Sequence, residues 1–187
     1  MERKRISHQA AKNFITAGKS TLTIESKPTG KHFTFKFITP IKDLETGKTL
    51  AQLPTWVRIL NNGDNTSKFA FLGTLWSNRY VHSKKSYTSE DAQSVKALKF
   101  YFNALFTNNE KNLNLIDVYH EGSCARCGRK LTTPESIERG IGPICDDLLE
   151  RLNHTNKVRS HQIIESSTGN KKLATEENAK VIAGILG

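Results

Sequence analysis

Ser20-Thr21-Leu22-Thr23-Ile24-Glu25-Ser26, Lys27-Pro28-Thr29-Gly30 and His32-Phe33-Thr34-Phe35-Lys36-Phe37 follow one another in the first fifth of the chain. Leu22 and Ile24 alternate with Thr and Glu, and three Phe alternate with Thr34 and Lys36. A period of two puts the apolar side chains on one face of a strand and the polar ones on the other. The Pro-Gly turn between the two runs makes them a hairpin, with its aromatic face inward and its basic face outward. A second hairpin follows from Thr55-Trp56-Val57-Arg58-Ile59-Leu60 and Lys68-Phe69-Ala70-Phe71-Leu72-Gly73-Thr74-Leu75-Trp76. Between them lies Asn61-Asn62-Gly63-Asp64-Asn65, and Asn-Gly is a strong signal for a tight hairpin turn. Tyr80-Val81-His82 reads as its continuation. Phe33, Phe35, Phe37, Phe69 and Phe71 are expected in the core.

Working outward, Ser89-Glu90-Asp91-Ala92 reads as a helix start, a hydroxyl followed by two acids at the positive end of the helix dipole. Ala92, Val95, Leu98, Phe102, Leu105 and Phe106 then recur at three- and four-residue spacing, one apolar stripe able to cover a sheet. Leu113-Asn114-Leu115-Ile116-Asp117-Val118-Tyr119 reads as a last strand. The pattern predicts an α+β protein: a mostly antiparallel sheet of about five strands, over 20–82 and 113–119, covered by one long helix over 89–107. Residues 1–19 read as a basic arm, 20–119 as the body, 120–152 as a small module, and 153–187 as a flexible tail with a short terminal helix near 179–186.

The 187 residues carry 28 Lys+Arg against 18 Asp+Glu, a net charge of +10. The excess is concentrated at the start, where residues 1–40 hold eight basic and two acidic side chains. A basic segment on a folded body suits a polyanion held through its phosphates. No run of about 18 apolar residues is present to span a membrane, and no apolar secretory segment follows the basic start, so the cytoplasm is the expected location.

Three cysteines cannot all pair with one another, and Cys124 and Cys127 stand in a C-x-x-C pair followed by Gly128. In a reducing compartment this points to metal chemistry. The turn brings two thiolates to one point, with Gly128 in the left-handed conformation that the knuckle needs. Thr133-Pro134-Glu135-Ser136 opens a short helix ending near Gly140, and Gly142-Pro143 opens another with Cys145 in its first turn. A knuckle facing a helix start is the geometry of treble-clef-like zinc modules. Zinc takes four ligands in a tetrahedron. The fourth is expected from His120, four residues before Cys124, with His154 in reserve. One structural Zn²⁺ is therefore expected on His120, Cys124, Cys127 and Cys145, closed to water. A thioredoxin-type redox pair and unrelated buried thiols are the competing readings.

The string C-x-x-C-G-R-x-L-T-x-P-x-S-I-x-x-G-I-G-P-x-C, from Cys124 to Cys145, resembles a small zinc-binding domain of unknown function that recurs in phage and bacterial proteins. The resemblance covers about 25 residues of the chain. It implies metal binding and a phage origin, hence a bacterial host cell, and brings no activity with it. The upstream body is similar in layout to phage members of the group.

For function, nucleic-acid binding is the leading expectation, to a single strand or without strong sequence preference. Trp56, Trp76 and Tyr80 are the candidates to stack on bases, beside Lys36, Arg58, Arg79, Lys84 and Lys85. Arg3, Lys4 and Arg5 at the start, and Arg126, Arg129 and Lys130 at the knuckle, are candidate phosphate contacts. The alternative is a protein-binding module that docks through Val181, Ile182, Ile185 and Leu186. An enzyme is disfavoured: the chain has no H-E-x-x-H, Walker loop or G-x-S-x-G, and a metal-dependent nuclease is the least remote activity.

Overall fold

A computed structural model describes residues 3–60, 68–76 and 78–158. Alternation at period two does form strands where expected, and two further strands extend the sheet to seven: β1 (Lys4–Arg5), β2 (Lys19–Ser26), β3 (His32–Ile38), β4 (Thr55–Leu60), β5 (Phe69–Trp76), β6 (Arg79–His82) and β7 (Ile116–His120). Their spatial order is β1-β7-β2-β3-β4-β5-β6, with every neighbouring pair antiparallel. The β2–β3 hairpin has the expected register, with Leu22 opposite Phe35 and Ile24 opposite Phe33. The Asn-Gly turn between β4 and β5 lies outside the described residues, as does the terminal helix near 179–186.

The fold is α+β, but more than one helix covers the sheet. Helix α1 (His8–Thr16) and helix α2 (Gln93–Phe106) both pack on its inner face. A turn, α3 (Glu110–Leu113), leads into β7, and α4 (Pro134–Arg139) precedes a helix over 143–158, α5. The N-terminal residues are no arm. Ser7 caps α1 by accepting a hydrogen bond from the Ala10 amide at 3.2 Å. Ala11, Phe14 and Ile15 fall at helical spacing and are fully buried. Burying Phe14 and Ile15 alone contributes roughly 2–3 kcal/mol each, enough to hold a short helix in place. Residues 153–158 are not a loose tail either. They continue α5, and buried Asn156 donates to the carbonyls of Leu44 and Lys48 at 2.8 and 2.7 Å.

Helix α2 starts later than its hydroxyl signal suggested. The Ser89 hydroxyl accepts from the Asp91 amide and the Ser89 carbonyl from the Ala92 amide, so 89–92 form a turn that precedes the helix. Val95, Leu98, Phe102 and Leu105 are buried as the stripe requires. The buried residues of the body and of the cysteine segment form one continuous cluster, so no break in packing separates 120–152 from the sheet.

Two phenylalanines face the other way from expectation. The β4–β5 register slips between Val57 and Arg58: Phe71 lies opposite Arg58, Gly73 opposite Val57, and Leu72 is the extra residue. This β-bulge inverts the alternation along β5. Leu72 and Leu75 point to the core, whereas Phe69 and Phe71 join Trp76 on the outer face, only half-buried. Tyr80 is displaced the opposite way. It pairs with inward-facing Leu75, packs on Phe102 at 6.2 Å between ring centroids, and shares a 3.0 Å hydrogen bond with His82 Nδ1. It belongs to the interior and is not a stacking residue.

Gly73 is required where β5 meets β6, since a Cβ there would lie 2.2 Å from the Val81 carbonyl oxygen. Gly73→Ala is expected to cost about 2–3 kcal/mol through forced backbone displacement. Urea denaturation followed by far-UV circular dichroism checks this; an unchanged midpoint would contradict the β5–β6 register.

Candidate metal centre and open sheet face

The C-x-x-C turn is built by backbone hydrogen bonds. The Gly128 amide donates to the Cys124 carbonyl at 2.9 Å, the Cys124 amide to the Arg129 carbonyl at 2.8 Å, and Gly128 has φ +75°. Helix α4 starts with Pro134 after Thr133 and stops at Gly140. Cys145 then lies in the first turn of α5. These turns bring the sulfurs of Cys124, Cys127 and Cys145 within 4.8 Å of one another, with Cys124 and Cys145 buried and Cys127 exposed. Such a group can hold a metal ion.

The donor chemistry fits a cation. Burial pushes the Cys124 thiol up, but the amides of Cys127, Gly142 and Arg126 directed at its sulfur outweigh it and hold the thiol below its ordinary range. Burial raises the Cys145 thiol, opposed by Arg126, whose Nη1 donates to Cys145 Sγ at 3.8 Å. Arg126 Nε is buried and has no hydrogen-bond partner, the one such side-chain atom among the described residues. A buried donor of this kind costs about 1–3 kcal/mol beside neutral groups. Beside a divalent ion with three thiolates, a net anion, the guanidinium has its countercharge.

His120 does not join the three sulfurs, and its side chain shows why. Nε2 lies 2.8 Å from the Ile137 carbonyl, and Nδ1 accepts from the Gly122 amide at 3.2 Å. A carbonyl only accepts and an amide only donates, so the ring is the neutral Nε2–H tautomer with both nitrogens occupied. It is 2 % exposed and meets the Phe14 ring edge-on at 5.3 Å. His120 therefore joins β7, α1 and α4, and no described His, Asp or Glu joins the three thiols. His154, the reserve candidate, is exposed on α5 and also outside the group. Sequence spacing could place His120 at the strand end but could not show that Ile137 and Gly122 claim its nitrogens.

The outer face of the sheet carries the other candidates. One cross-strand row runs Thr21, Lys36, Arg58, Phe71 and the next runs Lys19, Ile38, Trp56, Thr74, Val81. Trp76 lies opposite Arg79. Trp56 and Trp76 are 43 % and 47 % exposed, and Lys36 sits over the Phe69 ring at 5.2 Å. No described helix covers this face, and Arg58 and Arg79 make no ion pair with a described residue. Phe69 and Phe71 are the residues that sequence reasoning missed, hidden by the bulge. Arg3 and Arg5 lie at the far side, where Glu25 and Asp117 neutralise them. Lys4 sits on β1 opposite His120. Lys84 and Lys85 are exposed in the turn after β6, and Arg129 and Lys130 are exposed on the knuckle. The apolar patch Val181, Ile182, Ile185 and Leu186 lies outside the described residues. No helix among the described residues is long and apolar enough to cross a membrane.

The model of a family of unknown function, DUF6011, matches residues 117–149. This stretch contains the end of β7, the knuckle, α4 and the first turns of α5, and with them all three cysteines. Neither the curated proteins nor the solved structures yield a match.

The buried His120 ring has a pKa below its usual 6.5, chiefly because burial disfavours the imidazolium, with the Ile137 carbonyl opposing. Its stabilising effect is thus complete above about pH 6.5 and is lost as pH falls through the lower folded value. His120→Gln is expected to lose about 1–3 kcal/mol near pH 7.5, with the gap from wild type narrowing toward pH 5. Urea titrations across this range test it, and a gap that widens on acidification would contradict a neutral ring.

Proposed function

We propose that this protein binds single-stranded nucleic acid, without strong sequence preference, across the open face of its sheet, and that one zinc ion on Cys124, Cys127 and Cys145 staples the adjoining module. The observation that carries the reading is the pair of exposed indoles, Trp56 and Trp76, set among Lys36, Arg58 and Arg79 on a face that no described helix covers. Bases stack on such rings whatever their identity, at about 1–3 kcal/mol each. The cations meet the phosphates and release counterions, so affinity falls as salt rises. Phe69 and Phe71, half-buried beside them, extend the apolar strip along β5.

Zinc fits the donor set better than the oxygen-seeking ions, since soft thiolates select it. Its contribution here is structural: it neutralises the thiolates and fixes the knuckle against α5. The three cysteines hold it, the amides of Cys127, Gly142 and Arg126 orient Cys124, and Arg126 supplies the outer charge. No catalytic step is assigned.

Two outcomes are expected. Elemental analysis should find one zinc per chain, retained in His120→Gln and lost in Cys124→Ser, Cys127→Ser and Cys145→Ser, with several kcal/mol of stability lost alongside. Fluorescence anisotropy with a labelled oligothymidine should show salt-sensitive binding, weakened about 10- to 100-fold by Trp56→Ala with Trp76→Ala. Absence of binding even at low salt would remove the nucleic-acid reading.

A further inference from the structure

The row that holds Trp56 does not stop at the edge of the aromatic strip. Ile38 lies opposite Trp56 and Lys19 opposite Ile38, so Lys19 stands two strands away, roughly 10 Å at the usual strand spacing. There the sheet face runs into a cleft of about 560 Å³ between the ends of β2 and β3, the segment 39–45, the knuckle and α5. The knuckle is fastened at this point, because the Lys19 amide donates to the Ala125 carbonyl at 2.6 Å.

The lining has two characters. Lys19, Lys42 and Arg126 bring positive charge, against the Glu45 carboxylate and the exposed sulfur of Cys127. Ile41, Leu149 and Leu152 supply an apolar wall. Arg126 is shared with the thiol cluster, but the two lysines still outnumber Glu45, and a positive cleft draws a phosphate monoester, which is close to dianionic at neutral pH, more strongly than a diester with a single charge. The apolar wall suits the sugar or base attached to it, and the volume is that of a small-ligand site.

We propose that this cleft takes a phosphate monoester, the terminal phosphate of a nucleic-acid strand or that of a free mononucleotide, held by Lys19, Lys42 and Arg126. Arg126 also donates to Cys145 Sγ, so the same guanidinium that faces the cleft is positioned by the thiol cluster. The strand form of the proposal rests on the open-face reading; the mononucleotide form stands without it. A strand lying across Trp56 along this row would bring its end to the cleft, which makes the protein sensitive to strand ends and not only to single-strandedness.

The test uses the full chain, loaded with zinc, and four probes: the same short oligothymidine with a 5′-phosphate, with a 3′-phosphate and with neither, and thymidine monophosphate alone. Lys19→Gln with Lys42→Gln is the cleft variant, since both side chains are exposed and neither is needed by the core. One phosphorylated end should tighten binding about tenfold over the unphosphorylated strand, and the cleft variant should abolish that gain, so that strands with and without an end phosphate bind it equally. If no strand binds but thymidine monophosphate binds wild type and not the variant, the cleft stands and the open-face reading fails. If strands bind equally with and without end phosphates and the monophosphate does not bind, the cleft proposal is overturned and the open face stands. Equal binding of the monophosphate to wild type and variant would also overturn it.

Discussion

Three sulfur atoms within 4.8 Å of one another form the one cluster on which the cysteine segment converges, and together they can hold a metal ion. As thiolates they repel, and a single guanidinium from Arg126 cannot balance them. A bound metal ion would supply the missing charge, and three backbone amides are turned toward Cys124. The position of the knuckle follows from this convergence. Ala125 receives the Lys19 amide and donates to Gly140, so the cysteine turn is tied to the start of β2 on one side and to the end of α4 on the other. The module shares the core of the sheet, through Cys124, Ala125, Leu131, Ile141 and Leu149, and does not hang from it.

The sheet divides the labour between its faces. Helices α1 and α2 need the inner face, and Phe35, Phe37, Leu22 and Val57 are given over to that packing. The bulge in β5 frees two aromatic rings for the outer face while Leu72 keeps the core filled. A regular β5 would have turned Phe69 and Phe71 inward and set Ala70 and Leu72 on the outer face. The charges are also divided. Cations near β1 and β7 are matched by Glu25 and Asp117, whereas those on β3, β4 and β6 stand among aromatics. The basic surface thus lies across β3, β4 and the β6 edge and not at the N-terminus, where the charge count is highest.

What was legible in the sequence followed period and punctuation. The β2–β3 hairpin, the buried stripe of α2, the Pro134 helix start and the Cys145 helix turn could be read because each has a local signature. What was not legible depended on partners distant in the chain. Phe14 and Ile15 look like an isolated apolar pair until Gly140 and His120 are beside them. The bulge leaves no mark on β5 itself, because alternation and its inversion differ only through Arg58 and Val57 on the neighbouring strand. His120 fitted ligand spacing, yet the carbonyl that holds it belongs to Ile137, seventeen residues on. Tyr80 read as exposed because its inward neighbours, Phe102 and His82, come from a helix and from its own strand.

The surroundings of the three sulfurs are the most direct place to look. Zinc-edge X-ray absorption on purified protein should show three sulfur neighbours at the usual zinc–thiolate distance, about 2.3 Å, and no contribution from the His120 imidazole. The spectrum of His120→Gln should superimpose on that of wild type. A wild-type imidazole signature that disappears in His120→Gln would return His120 to the metal and contradict the neutral, hydrogen-bonded ring from which the arrangement of β7, α1 and α4 has been derived.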